Sequence, residues 1–254
     1  MDRTERMHAS LSFRALRYGT FHAGLTRDRK RITNDYYFDP GTGDPQTAHP
    51  EYVFTEFSAG FRYAHKEKFL EMPDSRISLG TNYPVIRFQY TRGLDGTLDG
   101  AYAYNKFDLK LEKSFYIKYL GESNFTLVAG YIDKPVPQSN LYNGRGSYRV
   151  FTIYAPTSFA TQRMNEFLSN RYAFLFYTHN FGKLLWRTKR FNPEFAVATN
   201  IGFGSLDHPG YHKGVTFNTM EKGYYESGLL INNLINMAGV YTLGVGAFYR
   251  YGPY

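Results

Sequence analysis

The feature that most constrains this chain is a long, strictly alternating stretch at residues 101–120. From Phe107 the odd positions are mainly apolar, and from Lys106 the even positions are mainly charged or polar, over more than a dozen residues. Because side chains point alternately to the two faces of a strand, this pattern predicts an apolar medium on one face and water on the other. Strands of globular proteins usually have only about five or six residues. The apolar medium is therefore either a protein core or the acyl chains of a bilayer.

Similar alternation recurs along the chain and is separated by turn-rich segments. The alternating segments are residues 7–18, 51–66, 76–93, 125–132, 171–181, 192–203, 223–234 and 238–251. We expect a break at Pro84, because proline cannot donate a hydrogen bond to a strand ladder. The short turn at 121–124 predicts a hairpin around it. Together these segments predict an all-β protein, an antiparallel up-and-down transmembrane barrel of roughly 9–12 strands.

Two segments depart from this alternation. Residues 20–50 combine the charged run RDRKR with the turn-rich run FDPGTGDPQTAHP, and they predict a long exposed loop. Residues 158–168, SFATQRMNEFL, predict one short helix lying over a barrel mouth or inside it. Neither length nor composition divides the 254 residues, so we expect a single barrel domain over 1–254.

Three features favour lipid as the apolar medium. Several alternating segments reach 11 residues or more, and a tilted strand needs about 9–11 to cross a bilayer. The 24 Tyr and 22 Phe cluster near the ends of these segments, as in the aromatic girdles of membrane barrels. Short turns also alternate with long connections in places. Lys113, on the otherwise apolar face, favours a soluble sandwich or lipocalin-like barrel unless its ammonium reaches a polar interface.

Composition excludes some functions. The chain has no cysteine, so disulfides, thiolate metal sites and cysteine nucleophiles are not available. A net charge of +8 permits contact with anionic lipid, lipopolysaccharide or nucleic acid. Only RDRKR forms a basic cluster, and the other Lys and Arg are scattered along strand faces that we expect to be solvated. We therefore expect no nucleic acid partner.

Residues suited to catalysis or metal binding are few. His208 and His212 lie in HPGYH, where Pro209 and Gly210 prevent the helix on which a four-residue spacing brings two histidines to one metal. Ser205 has Asp207 and His208 nearby, but it lies in no nucleophile elbow. We predict no catalytic residue, no metal site and no cofactor. A barrel-borne hydrolase that uses Ser205 and His208 is the third hypothesis, after the two stated below.

The charged face of the opening stretch is the main candidate functional surface. Interleaved opposite charges pair across a ladder, keep a lumen wet and set its selectivity. The residues that we predict to line a lumen are Lys106, Asp108, Lys110, Glu112 and Lys118.

Four motifs resemble the C-terminal barrel of a Bacteroidota outer-membrane family of unknown function. They are YPVIRFQYTRG (83–93), MNEFLSNRYAFLFYTHNFG (164–182), KGYYESGLLINNL (222–234) and LGVGAFYRYGPY (243–254). The resemblance implies a signal peptide and an N-terminal carboxypeptidase-regulatory-like domain upstream, a further strand downstream, and hence a chain that is part of a larger barrel. Within these motifs and the adjoining sequence, Arg92, Glu166, Arg171 and Glu226 are predicted to anchor lumenal loops or to contact a partner.

The family is distantly similar to the outer-membrane insertase and two-partner secretion barrels, in which a lumenal loop carries an Arg-Gly motif. Here the sequences around Arg92 and Arg171 lack the aromatic residue that follows Arg-Gly in those barrels. The leading hypothesis is a non-enzymatic outer-membrane barrel in transport, assembly or surface interaction. Its partners would be outer-membrane lipid, lipopolysaccharide and a protein of unknown identity. The alternative is a soluble β-sandwich or barrel that binds a ligand such as a glycan.

Overall fold

The computed structural model describes residues 3–32, 35–41, 51–144, 146, 153–186, 188, 191–237 and 241–254. The described strands are β1 (Arg3–Leu16), β2 (Gly19–Arg31), β3 (Tyr37–Phe38), β4 (Glu51–Ala64), β5 (Lys68–Met72), β6 (Ser75–Gly80), β7 (Val85–Gly93), β8 (Asn105–Ile117), β9 (Gly121–Ile132), β10 (Tyr142–Asn143), β11 (Leu168–Ser169), β12 (Arg171–Asn180), β13 (Glu194–Ser205), β14 (His212–Lys213), β15 (Tyr224–Met237) and β16 (Tyr241–Tyr251). The described helical segments are two single 3-10 turns, at Gln138–Asn140 and Pro209–Tyr211.

Ten strands form one antiparallel sheet in which neighbours follow one another along the chain. The order is β1-β2-β4-β7-β8-β9-β12-β13-β15-β16. This is the predicted all-β, up-and-down arrangement, and its ten strands fall within the predicted number. Within the described residues, β1 and β16 each pair on one side only.

The ladder registers assign the two faces of the sheet. Asp108 on β8 lies opposite Gln89 on β7 and Gly130 on β9, whereas Phe107 lies opposite Tyr90 and Tyr131. The even positions of β8 therefore share one face, called here the concave face, with residues such as Gln89 and Gly130. Its odd positions share the other, convex face with apolar residues, several of them aromatic. The predicted alternation of this stretch is confirmed, as is the break at Pro84, because β7 begins at Val85.

The connections between strands differ at the two ends of the sheet. At one end, called here the long-loop end, lie the β2–β4, β7–β8, β9–β12 and β13–β15 connections. The other end, called here the turn end, carries the short β1–β2 and β8–β9 turns and the separate β5–β6 hairpin. The main buried cluster joins residues of the long-loop connections, including Tyr36, Tyr104 and Val136, to strand residues such as Phe54.

The prediction of a loop over residues 20–50 is wrong for its first part, where β2 runs from Gly19 to Arg31. The charged run belongs to the strand because its side chains point alternately to the two faces and find partners on each. Asp28 faces inward, 4% exposed, and pairs with Arg6 at 2.7 Å. Arg29 faces outward and pairs with Glu51 at 2.5 Å. Residues 42–50 of the predicted loop lie outside the described residues.

The predicted helix at 158–168 is also wrong, since this segment has turns and bends and no helical repeat. One backbone bond joins residues of the segment, from the Glu166 N–H to the Arg163 carbonyl at 3.3 Å, and other peptide groups bond to other elements. The Ala160 N–H donates to the Glu226 carboxylate, and the Leu168 N–H donates to the Asn218 carbonyl at 3.1 Å. The segment is packed between the concave face and the β13–β15 connection.

Candidate functional site

The convex face carries an exposed apolar band that extends across the sheet. Leu11, Leu229 and Val245, on three different strands, each leave 60% or more of their surface exposed. Soluble monomers rarely expose contiguous apolar patches larger than a few hundred Å². This band therefore requires a covering medium.

Aromatic rings border the band at both ends. At the long-loop end, ring centroids lie 5.3 Å apart for Tyr90 and Phe107, and 6.2 Å apart for Tyr225 and Tyr251. At the turn end, the ring centroid of Phe125 lies 5.7 Å from that of Phe115 and 4.5 Å from that of Tyr177. The long-loop girdle, as we define it, contains Phe57, Tyr90, Phe107, Tyr131, Phe203, Tyr225 and Tyr251. The turn-end girdle contains Phe13, Phe21, Phe61, Phe115, Phe125 and Tyr177.

Lys113 lies on the convex face near the turn end, opposite Phe125. Its ammonium donates a hydrogen bond to the Asn82 carbonyl in the β6–β7 connection. The charge is thus held at the end of the sheet and not in the middle of the apolar band. This is the interfacial position in which a lysine side chain is compatible with lipid.

The concave face holds a cleft of about 490 Å³ between the sheet and the β9–β12 connection. One wall of this cleft is polar and comes from β4, β7 and β8. It consists of Glu56, Gln89, Thr91, Lys106, Asp108 and Lys110. The opposite wall comes from β12 and the connection above it, and we call it the aromatic wall. It consists of Tyr142, Phe159, Tyr172, Phe174 and Phe176.

The aromatic wall is a continuous chain of ring contacts. Tyr142 and Tyr172 lie 4.5 Å apart, Tyr172 and Phe174 lie 4.4 Å apart, and Phe159 lies 5.1 Å from Phe174. Gly130 makes room for it, because a Cβ there would lie 2.5 Å from ring atoms of both Tyr142 and Tyr172. The glycine in β9 thus lets the rings lie directly on the sheet.

Four of the five predicted lumen-lining residues lie on the concave face of β8. The Lys106 ammonium lies 4.4 Å from the centroid of Tyr142. Burial raises the pKa of Tyr142 above its ordinary range, and the Asp108 carboxylate adds to this shift, so the hydroxyl stays protonated. Glu112 pairs with Lys110 at 2.9 Å and with Arg87 at 3.1 Å.

The fifth prediction, that Lys118 lines the lumen, is wrong. The strand ends at Ile117, and Lys118 lies exposed in the β8–β9 turn with its ammonium 4.9 Å from the Tyr119 centroid. The hairpin turn occupies residues 118–120, three residues before the predicted turn at 121–124, and residues 121–124 belong to β9. The predicted hairpin is confirmed, but the predicted position of its turn is wrong.

Glu226 fixes part of the β9–β12 connection to the concave face. This fully buried carboxylate accepts four hydrogen bonds, from the Ala160 and Thr161 amides at 2.9 Å, from the Thr161 hydroxyl at 2.6 Å and from Asn200 Nδ2 at 2.7 Å. A buried carboxylate needs this many donors to offset the loss of hydration. Glu226 therefore acts as an anchor for residues 160–161.

Glu166 is a second contact of the same connection. It accepts the Arg163 amide at 2.8 Å and pairs with Arg250 on β16 at 2.7 Å. The Arg250 guanidinium also lies 4.8 Å from the ring centroid of Tyr224. Arg250 was not among the predicted site residues. Its even position in the alternation of β16 could have indicated that it shares the polar face of the sheet.

Arg92 and Arg171 do not share the face of the sheet that lines the cleft. Both are exposed at the long-loop end of the convex face. Arg92 donates to Asn105 Oδ1 at 2.8 Å, and Arg171 donates to Ser205 Oγ at 2.5 Å and to Asp207 at 2.8 Å. Both strand positions point outward. Arg171 nevertheless holds the start of the β13–β15 connection through Asp207, whereas Arg92 bonds to Asn105 at the start of β8. Contact of either arginine with a partner stays a prediction.

Two anchors were missed by sequence reasoning. Lys30 on β2 donates to the Ser139 carbonyl at 2.8 Å, and Glu56 on β4 accepts from Asn140 Nδ2 at 3.1 Å and from the Tyr104 hydroxyl. Burial and the Glu56 carboxylate raise the pKa of Tyr104 above its ordinary range, so Tyr104 remains a donor. Sequence reasoning missed Lys30 because it belongs to the charged run at residues 27–31, which was predicted to lie in a loop.

The two histidines of the HPGYH sequence, His208 and His212, contact neighbouring aromatic side chains. His212 is buried, its Nδ1 lies 2.9 Å from the Tyr36 hydroxyl, and burial lowers its pKa to about 4. His208 stacks on Tyr211 with centroids 4.8 Å apart, while Ser205 and Asp207 both bond to Arg171. Among the described residues there is no group of three or more side chains suited to a metal ion.

Comparisons with known proteins fit this geometry. Within the part of the chain that the structure covers, no helix has the length and apolarity needed to cross a membrane. No curated protein matches the chain. The crystal structure of BamA from Haemophilus ducreyi lacking POTRA domains 1–3 is similar in fold, with a TM-score of 0.66 and 13% sequence identity. The match covers 100% of this chain and 52% of that one, so this chain spans about half the length of the BamA chain.

At this identity the likeness concerns the fold alone, which is similar to that of the BamA barrel. The single ten-stranded sheet contradicts the predicted alternative of a sandwich. Residues 20–211 match the family described as "Family of unknown function (DUF5686) C-terminal domain". Since the match covers most of the sequence, this chain belongs to the DUF5686 C-terminal domain family.

Proposed function

We propose that the protein is a non-enzymatic outer-membrane β-barrel that acts in transport, assembly or surface interaction. The observation that carries the proposal is the exposed apolar band on the convex face, bordered by the two aromatic girdles. A water-soluble barrel would place polar side chains on that face. Apolar residues flanked by aromatic girdles are instead the outer surface of a membrane barrel.

The height of the band fits a bilayer. Phe107 and Phe115 belong to opposite girdles and lie eight residues apart on β8. Eight residues of strand extend about 27 Å, or roughly 20 Å across the membrane when the strand is tilted by about 40°. This is close to the apolar band of about 25 Å in known membrane barrels.

The concave face favours assembly or surface interaction over an open diffusion pore. Glu226, Glu166, Lys30 and Glu56 hold two stretches of the β9–β12 connection against the sheet. Larger solutes could pass only if these contacts opened. The long-loop end, where these connections meet, is proposed to be the cell-surface end, because surface loops of such barrels are longer than periplasmic turns.

Outer-membrane lipid and lipopolysaccharide are the proposed partners of the convex face, together with a protein whose identity the fold does not specify. Arg92 and Arg171 lie on this face at the long-loop end, where Arg171 is directly opposite Tyr131 of the girdle and Arg92 is two residues beyond Tyr90 on β7. Guanidinium groups just beyond an aromatic girdle are suited to phosphate groups of lipid.

The family resemblance supports two finer proposals. They are an origin in Bacteroidota and an N-terminal carboxypeptidase-regulatory-like domain in other members of the family. The genomic source of the gene tests the first proposal, and the sequences of other family members test the second. A gene from an unrelated phylum would contradict the first proposal.

Membrane location is tested by fractionation and gel mobility of the full-length protein. We expect it in the outer-membrane fraction, extractable only with detergent, with a mobility that changes on boiling because the barrel stays folded in unheated sample. A protein that is soluble without detergent and unchanged by boiling would contradict the proposal and would favour the soluble ligand-binding alternative.

A further inference from the structure

We propose that the cleft on the concave face is a binding site for a neutral oligosaccharide. The cleft lies between the polar wall of β4, β7 and β8 and the aromatic wall, and its volume of about 490 Å³ is within the range of sites for small ligands. The proposal concerns only the concave face, so it does not depend on whether the convex face contacts the outer membrane.

The aromatic wall suits the apolar face of a sugar ring. Tyr142, Tyr172 and Phe174 form a connected surface whose ring faces carry negative charge density. The C–H groups of a pyranose ring are weakly positive and project from its two faces, so they pack favourably against such a surface. The glycine at position 130 keeps this surface close to the sheet.

The polar wall suits hydroxyl groups, each of which can both donate and accept hydrogen bonds. Gln89 offers an amide with both functions, Lys106 offers an ammonium donor, and Asp108 offers carboxylate acceptors. Gln89 Nε2 is already oriented by Thr91 Oγ1 at 3.3 Å. A ligand with one apolar face and a polar edge would match both walls at once.

The charges of the cleft argue against an ionic ligand. Its lining includes two ammonium groups, Lys106 and Lys110, and two carboxylates, Glu56 and Asp108. Because equal numbers of positive and negative groups line it, neither an anion nor a cation gains a net attraction. A neutral ligand avoids the cost of burying an unpaired charge.

Binding is tested by saturation-transfer NMR with cellobiose and maltose on the full-length protein. The detergent must be lauryldimethylamine oxide, because glycosidic detergents would compete for the cleft. We expect saturation transfer that is strongest at the ring C–H protons of at least one disaccharide. Glucose 6-phosphate and the dipeptide amide Gly-Phe-NH₂ are expected to give none, and stronger transfer to either of them would overturn the assignment of ligand class.

Three variants locate the site. Tyr172→Leu and Phe174→Leu remove rings of the aromatic wall but keep apolar side chains, and Asp108→Asn removes one carboxylate. Each is expected to weaken binding about tenfold, whereas Phe203→Leu on the convex face is the matched control and should leave it unchanged. Heat-dependent gel mobility verifies that each variant is folded. Absence of saturation transfer in the folded wild type, or equal binding by all four variants, would overturn the proposal without affecting the membrane assignment.

Discussion

Glu226 shows how one side chain can determine the position of a distant segment. Its carboxylate accepts four hydrogen bonds, two of them from the amides of residues 160 and 161. We expect Glu226→Gln to destabilise the protein by about 2 kcal/mol or more, because the new amide group would face donors and leave buried groups unpaired. Hydrogen exchange at Ala160 and Thr161 measures the effect. The control is Glu122→Gln, at an exposed position of β9, and equal exchange in both variants would contradict the anchoring role.

His212 is a residue whose burial has a consequence for pH. Gln138 N–H donates to the Tyr36 hydroxyl at 2.7 Å, which leaves that hydroxyl to donate to neutral His212 at Nδ1. The folded-state pKa of about 4 lies below the unfolded value of about 6.5. Below pH 6.5 the unfolded state therefore binds more protons, so stability is complete above this pH and declines as the pH falls towards 4.

The loss of stability from His212 approaches about 3 kcal/mol at the acid end of this range. Hydrogen exchange of residues 35–38 and 212–217, followed between neutral pH and pH 4, measures it. We expect His212→Phe to abolish this pH dependence and His208→Phe to retain it. The same acid sensitivity in both variants would show that another group is responsible.

At the scale of elements, the position of β10 on the sheet depends on a missing side chain. Tyr142 of β10 lies over Gly130 of β9, where a Cβ would meet ring atoms at 2.5 Å. Gly130→Ala is therefore expected to displace β10 and cost about 1–3 kcal/mol through overpacking. Unfolding midpoints and hydrogen exchange at 138–143 measure this. Gly210→Ala is the control, since nothing lies within 4 Å of its Cβ position, and matching midpoints for the two variants would contradict the close contact.

For the whole molecule, the two faces of the sheet should respond oppositely to charge. Leu127 and Thr126 are neighbours on β9, and Thr126 faces inward opposite Glu112 while Leu127 faces outward opposite Leu111. In a bilayer, Leu127→Lys is expected to cost about 2–4 kcal/mol, because it places an ammonium among acyl chains. Thr126→Lys gains a carboxylate neighbour and should be tolerated. Folding yields into lipid vesicles compare the two, and equal yields would contradict a lipid-facing convex surface.

Much of the sheet could be predicted from residue patterns because strand alternation is a local property. The odd positions of β8 were assigned correctly to an apolar face, and Pro84 was correctly placed before a strand. The strand β2 was missed because residues 27–31 are all charged and therefore show no alternation of apolar and polar side chains. In the structure these charged side chains pair with residues of the neighbouring strands. Lys118 was misplaced because a pattern of period two contains no signal for the residue at which a hairpin turns.

The sequence by itself determined the all-β fold and, for strands such as β8, the residues that share each face, because both follow from the period-two geometry of a strand. The cleft and its anchors were decided only by the tertiary structure. Glu226 meets residues 160 and 161 across 65 or more positions of chain, and Lys30 meets Ser139 across 109. Such contacts depend on the path by which the connections return over the concave face, and no local periodicity describes that path.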